Sequence, residues 1–125
     1  MISGSCHCGA VHVEIPRRPP SVTNCNCSIC RRYGVLWAYY QAKDVRVIAK
    51  PGAMQTYRWG RNALDFVRCS NCGCLINWQR VDPSKGTRMG VNMRNFDPLM
   101  LGPVRIKLLD GAASMDYVVV EAPPP

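Results

Sequence analysis

Eight cysteines, gathered in three short clusters, are the feature that most constrains how this chain of 125 residues can fold. The clusters are Cys6-His7-Cys8, Cys25-Asn26-Cys27-Ser28-Ile29-Cys30 and Cys69-Ser70-Asn71-Cys72-Gly73-Cys74. The N-terminus lacks the basic stretch followed by an apolar run that marks a secretory signal, so we expect a reducing, cytoplasmic environment. In such an environment clustered cysteines bind metal as thiolates more often than they form disulfides.

The spacing within the clusters suits shared metal ions. In an extended segment, residues two apart point the same way, so Cys6 and Cys8 can reach one ion while His7 points away. A C-x-x-C turn brings both of its sulfurs towards one point. Gly73, directly after Cys72, permits the tight turn that such a knuckle needs.

Two different metal sites follow from these spacings. Structural zinc takes four ligands in a closed tetrahedral site. Two pairs supply such a set and would tie the start of the chain to its middle: Cys6 with Cys8, and Cys69 with Cys72. The compact trio that remains is Cys25, Cys27 and Cys30. Because three protein ligands with one open position are typical of catalytic zinc, the sequence predicts a structural zinc and a second, partly occupied zinc.

Other arrangements stay open at this point. The C-x-x-C knuckles of the second and third clusters would together form a zinc ribbon, although this leaves the first cluster without a role. Disulfides are disfavoured because a bridge within C-x-C is strained. We expect Cys74 to be a small core residue and the histidines, His7 and His12, to lie at the surface or in hydrogen bonds. Cys74 or His12 would alternatively close the trio.

Short strand-like segments indicate an all-β fold of short antiparallel sheets. Ten glycines and ten prolines divide the chain, and helix signals are poor. Val11–Ile15 alternates apolar and polar residues and ends at Pro16. Segments 54–59 and 64–68 are expected to form a hairpin around Gly60. The remaining strand candidates are 35–40, 45–48, 75–78, 87–93 and 117–121.

Length and hydropathy limit the architecture. A chain of 125 residues has room for one hydrophobic core, so we expect one zinc-binding domain over residues 1–125. Its last residues, 119–125, are expected to form a frayed tail. No apolar run approaches the roughly 20 residues of a membrane span, so we expect no membrane partner.

The formal net charge is +8 at pH 7. Most of the basic residues are arginines, which bind carboxylates and phosphates in bidentate fashion and therefore suit an anionic partner. The arginines are scattered along the sequence, so we expect nucleic-acid binding to be weak and non-specific. A small polyanionic substrate explains the charge equally well.

Three motifs in the sequence resemble those of a known family. They are Gly4-x-Cys6-x-Cys8-Gly9-x-Val11, Cys25-x-Cys27-x-x-Cys30-Arg31-Arg32-x-Gly34 and Cys69-x-x-Cys72-Gly73. Through them the chain resembles the glutathione-dependent formaldehyde-activating enzyme family, whose domain also occurs in centromere protein V. Segments 92–97 and 110–111 are similar to the C-terminal half of that family. The resemblance covers residues 4 to 117.

The resemblance implies a small zinc-stabilised fold of the β-tent kind. It implies a structural zinc on Cys6, Cys8, Cys69 and Cys72, and a second zinc with an open position on Cys25, Cys27 and Cys30. The implied reaction is the condensation of glutathione with formaldehyde to S-(hydroxymethyl)glutathione, or its reverse, a carbon–sulfur lyase activity. We therefore expect an enzyme of formaldehyde detoxification whose small-molecule partner is glutathione or a similar thiol.

Three arginines are candidates for binding the substrate. Arg31 and Arg32 directly follow Cys30 and would pair with the carboxylates of glutathione. Arg94 is a further candidate for binding an anionic group of the substrate. The alternative function belongs to a different class: a non-catalytic, zinc-stabilised module that binds nucleic acid or a protein partner.

Overall fold

The computed structural model describes residues 1–118, and β-strands dominate this part of the chain. The strands are β1 (Ile2–Ser5), β2 (Val11–Ile15), β3 (Ser21–Cys25), β4 (Trp37–Gln41), β5 (Arg46–Ala49), β6 (Met54–Tyr57), β7 (Leu64–Cys69), β8 (Leu75–Arg80), β9 (Arg88–Asn92), β10 (Arg105–Leu109) and β11 (Tyr117–Val118). The helices are α1 (Cys30–Tyr33) and α2 (Pro98–Leu101), with 3-10 turns at Ala42–Asp44, Pro83–Lys85 and Met93–Asn95. The prediction of an all-β fold is confirmed.

The strands form two sheets. The smaller sheet has the order β1-β2-β5, and the larger has the order β11-β10-β3-β4-β9-β8-β7-β6. Nearly all neighbouring strands are antiparallel, as the sequence predicts. The exception is β3 with β10, which run parallel with Val22 opposite Ile106. Parallel neighbours need a long crossover connection, and here the crossover contains the strands from β4 to β9.

Strand β2 alternates buried and more exposed residues, and its buried side chains pack the smaller sheet against the larger one. Val11, Val13 and Ile15 are fully buried, whereas His12 between them is exposed. Each such buried side chain contributes about 1.5–3 kcal/mol through the hydrophobic effect. These side chains join residues of the larger sheet in what we call the first core cluster. Its buried members are Cys6, Val11, Val13, Ile15, Val22, Ala38, Tyr40, Cys69, Ile76, Met89, Val91, Met93, Phe96 and Leu101.

A second core cluster, rich in aromatic residues, also packs on the larger sheet. Its buried members are Cys25, Cys30, Val35, Trp37, Phe66, Leu75 and Trp78. Strand β4 separates the two clusters, because successive side chains of a strand point to opposite faces. Trp37 and Tyr39 belong to the second cluster, and Ala38 and Tyr40 belong to the first. The sheet therefore presents one aliphatic and one aromatic face.

Several predicted strands are confirmed, and others were not predicted. Strand β2 has the expected bounds, and β6 pairs with β7 as the expected hairpin. Strands β1, β3 and β10 and helix α1 carry no alternation strong enough to predict them. Of the candidate strand 117–121 only β11 is described, and the predicted frayed tail 119–125 lies outside the described residues. Within residues 1–118, neither helix has the length and apolar character needed to span a membrane.

Gly90 lets the aromatic rings of Trp78 and Tyr39 approach each other on the aromatic face. It pairs with Trp78 of β8 on one side and with Tyr39 of β4 on the other. A Cβ atom at position 90 would overlap the indole of Trp78, whose Cδ1 would lie 2.6 Å away. The missing side chain lets the indole cross β9 towards Tyr39, and the two ring centroids are 6.1 Å apart.

We expect Gly90→Ala to lower the free energy of unfolding by roughly 1–3 kcal/mol, the usual cost of overpacking a core. Urea unfolding of the metal-loaded protein measures this change. The control is Gly86→Ala, because the three atoms nearest to a Cβ there all belong to the long side chain of Arg80, which has more rotatable bonds than the indole of Trp78. Equal stability of the two variants would contradict the role given to Gly90.

Candidate metal centres

Four cysteine sulfurs meet between the β1–β2 turn and the β7–β8 turn. The sulfurs of Cys6, Cys8, Cys69 and Cys72 all lie within 4.8 Å of one another. The Sγ atoms of Cys6 and Cys8 are 3.7 Å apart, and those of Cys8 and Cys69 are 3.6 Å apart. Zn–S bonds of about 2.3 Å in a tetrahedron place neighbouring sulfurs about 3.8 Å apart. The donor set and its spacing therefore fit a tetrahedral zinc; we call these residues the four-cysteine group.

The first half of this group lies in a turn. The backbone N–H of Cys6 donates to Val11 O and that of Gly9 donates to Cys6 O, which closes the turn between β1 and β2. The expectation that Cys6 and Cys8 lie on one extended segment is therefore wrong. The same turn orients the sulfur of Cys6, because the N–H of Val11 donates to Cys6 Sγ at 3.3 Å.

The second half is a C-x-x-C knuckle. The N–H of Gly73 donates to Cys69 O at 3.0 Å, and the N–H of Cys72 donates to Cys69 Sγ at 3.5 Å. Gly73 has φ of 78°, a left-handed conformation that glycine adopts without strain. The tight turn predicted at this position is confirmed.

The thiols of the four-cysteine group differ in acidity when no metal is bound. Backbone N–H groups, first that of Cys74 and then that of Cys8, lower the pKa of Cys72 to about 5. Burial raises the pKa of Cys6 to about 11. Cys72 is therefore ready to bind a cation as thiolate, whereas metal binding must displace the proton of Cys6.

A second group of three sulfurs follows β3. Cys25 ends this strand, Cys27 lies in the bend after it and Cys30 begins α1. Their sulfurs also lie within 4.8 Å of one another. The N–H of Cys27 donates to Cys25 Sγ and that of Cys30 donates to Cys27 Sγ, both at 3.5 Å. The backbone thus turns all three sulfurs towards one point; we call these residues the trio.

The trio lies against the aromatic face of the larger sheet. Trp37 Nε1 donates a hydrogen bond to Cys30 Sγ at 3.3 Å. The ring of Phe66 packs beside Trp37 and Tyr33, with centroid distances of 6.3 and 6.2 Å. An indole N–H that donates to a ligating sulfur orients it and draws off negative charge.

The acidity of the trio also varies. Burial raises the pKa of Cys25 and strongly raises that of Cys30. Burial acts in the same direction on Cys27, but hydrogen bonds from the backbone N–H and the thiol of Cys30 outweigh it and lower the pKa of Cys27. Cys27 is therefore the most readily ionised thiol of the three.

A cleft of about 410 Å³ opens beside the trio. Its wall includes Cys25 with Asn24 and Asn26 on either side, and it also includes Arg31 and Asp110. The cleft therefore places Arg31 and Asn24 beside the end of the strand that carries Cys25, whereas the polar side-chain atoms of Asn26 and Asp110 are hydrogen-bonded within the protein.

The three arginines predicted to bind substrate occupy different positions. Arg31 lines the cleft. Arg32 Nη1 donates to Ser28 O at 2.7 Å, and Arg94 Nε donates to Gly34 O at 3.0 Å. Arg32 and Arg94 therefore support the backbone around α1, and pairing of any of the three with a substrate stays a prediction.

The two groupings decide between the alternatives for the cysteines. The zinc-ribbon arrangement is wrong, because its two knuckles belong to separate sulfur groups. All eight cysteines are free thiols. Neither His7 nor His12 belongs to a sulfur group, and Cys74 packs half-buried against the first core cluster.

Comparisons with known proteins agree with this geometry. The family described as "Glutathione-dependent formaldehyde-activating enzyme" matches residues 1–106. Among solved structures, the crystal structure of a Rhodobacter sphaeroides protein, a structural-genomics target, is similar to this chain with a TM-score of 0.68 and 31% sequence identity. That similarity covers 84% of this chain and 99% of the other. The region matched by the family contains both sulfur groups.

We expect Cys69→Ser to abolish cooperative folding, because the loss of one ligand removes much of the binding free energy of a structural metal, about 10–16 kcal/mol in small zinc peptides. Zinc content and thermal unfolding measure the effect. Cys74→Ser is the matched control, since Cys74 lies outside both groups. A soluble Cys69→Ser protein that unfolds cooperatively and keeps its full zinc content would overturn the structural assignment.

Proposed function

Because the chain belongs to the glutathione-dependent formaldehyde-activating enzyme family, we propose that it is a zinc-dependent enzyme acting on S-(hydroxymethyl)glutathione. It forms this adduct from glutathione and formaldehyde or cleaves it, a carbon–sulfur lyase reaction. The observation that carries the proposal is the trio. Its three sulfurs lie close enough to share one ion, and no fourth cysteine, histidine or carboxylate of residues 1–118 completes the set.

The two sulfur groups take different roles in this proposal. The four-cysteine group would hold a closed, structural zinc, because four protein ligands leave no position for a substrate. The trio would hold the second zinc and would leave one position free. Thiolate sulfur is a soft ligand that selects zinc over hard cations such as magnesium or calcium, which supports the choice of metal at both sites.

The reaction needs a thiolate close to an electrophilic carbon. Zinc at the trio would supply a coordination position for the glutathione sulfur and favour its ionised form. The sulfur lone pair then forms the C–S bond while the C=O π electrons move to oxygen. The oxygen takes up a proton, which balances the proton lost from the thiol, so the reaction involves no oxidant or reductant.

Residues of the chain contribute binding and orientation. Arg31 lines the cleft and offers a cation to a carboxylate of glutathione. Because Arg31 is exposed, one such pair contributes only about 0–1 kcal/mol. Trp37 holds Cys30 Sγ in position and reduces the negative charge that three thiolates place on one ion. The aromatic rings packed behind the trio exclude water from that side.

We expect Cys27→Ser to keep the fold and the structural zinc while it loses the second zinc and catalysis. The exchange rate between ¹³C-formaldehyde and S-(hydroxymethyl)glutathione, measured by NMR exchange spectroscopy, should fall to the uncatalysed rate. Cys74→Ser again serves as the control and should retain activity. If wild type does not accelerate the exchange, or if Cys27→Ser accelerates it equally, the proposed function is wrong.

The alternative of a nucleic-acid-binding module is supported by the net charge of +8. The structure distributes that charge over separate elements, and some of it is paired. Arg46 on β5 lies 3.3 Å from Glu14, and Arg58 lies 2.8 Å from Asp65. These two ion pairs leave Arg46 and Arg58 less available to a nucleic-acid backbone.

We therefore expect only weak nucleic-acid binding, without sequence preference, that decreases steeply as salt rises because it depends on counterion release. Fluorescence anisotropy with a labelled duplex at several salt concentrations measures it, with a scrambled duplex as control. Tight binding at physiological salt that discriminates between the two duplexes would favour the binding module over the enzyme.

A further inference from the structure

The loop that follows β10 folds back over the trio. It runs from Asp110 to Asp116 and is closed by its own backbone, since Asp110 N–H donates to Asp116 O at 2.9 Å. The family match ends at residue 106, before this loop, although segment 110–111 resembles the C-terminal half of that family. The loop reaches the trio because β10 runs beside β3, with Leu109 opposite Cys25. Its first residues therefore lie next to the ligands that follow β3.

Gly111 is the residue of this loop that lies against a trio sulfur. A Cβ atom at position 111 would overlap Cys25 Sγ, far inside the 3.0 Å that real Cβ contacts keep, and would lie 3.5 Å from Cys27 Cβ. Gly111 is not among the glycines with a left-handed backbone. An alanine could therefore adopt its conformation, and glycine is required for space alone.

Hydrogen bonds hold the loop in this position. Asn26 lies between Cys25 and Cys27, and its side chain uses both of its polar atoms. Nδ2 donates to Asp110 Oδ1 and Oδ1 accepts from Ala112 N–H, both at 3.0 Å. The N–H of Asn26 also donates to Leu109 O at 3.1 Å. These bonds join the loop to the turn that carries the trio ligands.

The carboxylate of Asp110 also organises the loop itself. Its Oδ2 accepts from the backbone N–H of Ser114 at 3.3 Å and from the hydroxyl of Ser114 at 3.0 Å. One side chain thus shapes the loop through Oδ2 and joins it to Asn26 through Oδ1. Loss of this carboxylate would release the loop without placing any new atom near the trio.

We propose that Gly111 and Asp110 are positioning residues of the trio, which fix where Cys25 Sγ lies relative to the other two sulfurs. The inference rests on the second metal site of the proposed function, and on neither its substrate nor its reaction. Metal–ligand distances tolerate deviations of only about 0.2 Å. A Cβ atom at position 111 would push Cys25 Sγ much further than that, so the trio would lose a ligand.

The direct test is Gly111→Ala in the full-length protein, stripped of metal and titrated with cobalt(II). Cobalt bound to thiolates gives a charge-transfer band whose intensity follows the number of bound sulfurs, a signature that loop stability alone does not change. We expect the four-cysteine group to bind as in wild type and the trio to bind at least about tenfold more weakly, the usual loss when a ligand's support is removed. Gly86→Ala is the control, because the three atoms nearest to a Cβ there all belong to the Arg80 side chain and none to a cysteine.

A second variant separates the hydrogen bonds from the steric effect. Asp110→Ala removes the acceptor for Asn26 and Ser114, and we expect weaker cobalt binding at the trio in this variant as well. Asp82→Ala is matched to it, because Asp82 also accepts from the N–H and the hydroxyl of the serine two positions on, Ser84, and belongs to neither sulfur group.

The outcomes are distinct. If wild type binds two equivalents and both Gly111→Ala and Asp110→Ala bind two with unchanged affinity and charge-transfer intensity, the inference is wrong and the proposed function stands. If wild type binds a single equivalent at the four-cysteine group, the second site is wrong, and the proposed function and the inference are both overturned. Selective loss of trio binding in Gly111→Ala, with Gly86→Ala unchanged, supports the inference.

Discussion

Four cysteine sulfurs connect the two sheets of this protein, and the rest of the fold depends on that connection. The β1–β2 turn of the smaller sheet supplies Cys6 and Cys8, and the β7–β8 turn of the larger sheet supplies Cys69 and Cys72. Two of the four, Cys6 and Cys69, are also buried in the first core cluster. A structural zinc contributes about 10–16 kcal/mol in small peptides, as much as the whole stability of a typical domain. A metal bound by these four sulfurs would therefore stabilise the same contact between the two sheets as the aliphatic core does.

The trio differs from the four-cysteine group because it joins no distant segments of the chain. Its three cysteines come from one short stretch, so a metal bound there would tie no distant segments together, and we expect the fold to persist without it. The stretch is instead supported from outside, by Trp37 on Cys30, by Arg94 on Gly34 and by the Asp110–Asp116 loop on Cys25. In the proposed assignment, the protein therefore separates a closed site that stabilises the fold from a site beside a cleft whose cysteines are held in place by neighbouring residues.

Sequence spacing predicted which cysteines come together, because knuckles and short turns are local structures with few solutions. It also predicted strand β2, whose alternation is strong. It did not predict the parallel pairing of β3 with β10, which depends on contacts between distant segments. The C-x-C spacing of Cys6 and Cys8 fits both an extended segment and a turn, so the spacing alone does not predict the turn. The sequence also could not predict the contact between Gly111 and Cys25, because this contact follows from the same long-range pairing of β3 with β10.

We propose that one sulfur site is closed and that the other is open to a thiol. X-ray absorption at the zinc edge, recorded with and without glutathione, tests this most directly. We expect two zinc ions per chain, with fewer than four sulfurs per zinc on average before glutathione is added and a rise towards four afterwards. Four sulfurs per zinc from the start, with a spectrum that glutathione leaves unchanged, would contradict the open site and the function proposed for it.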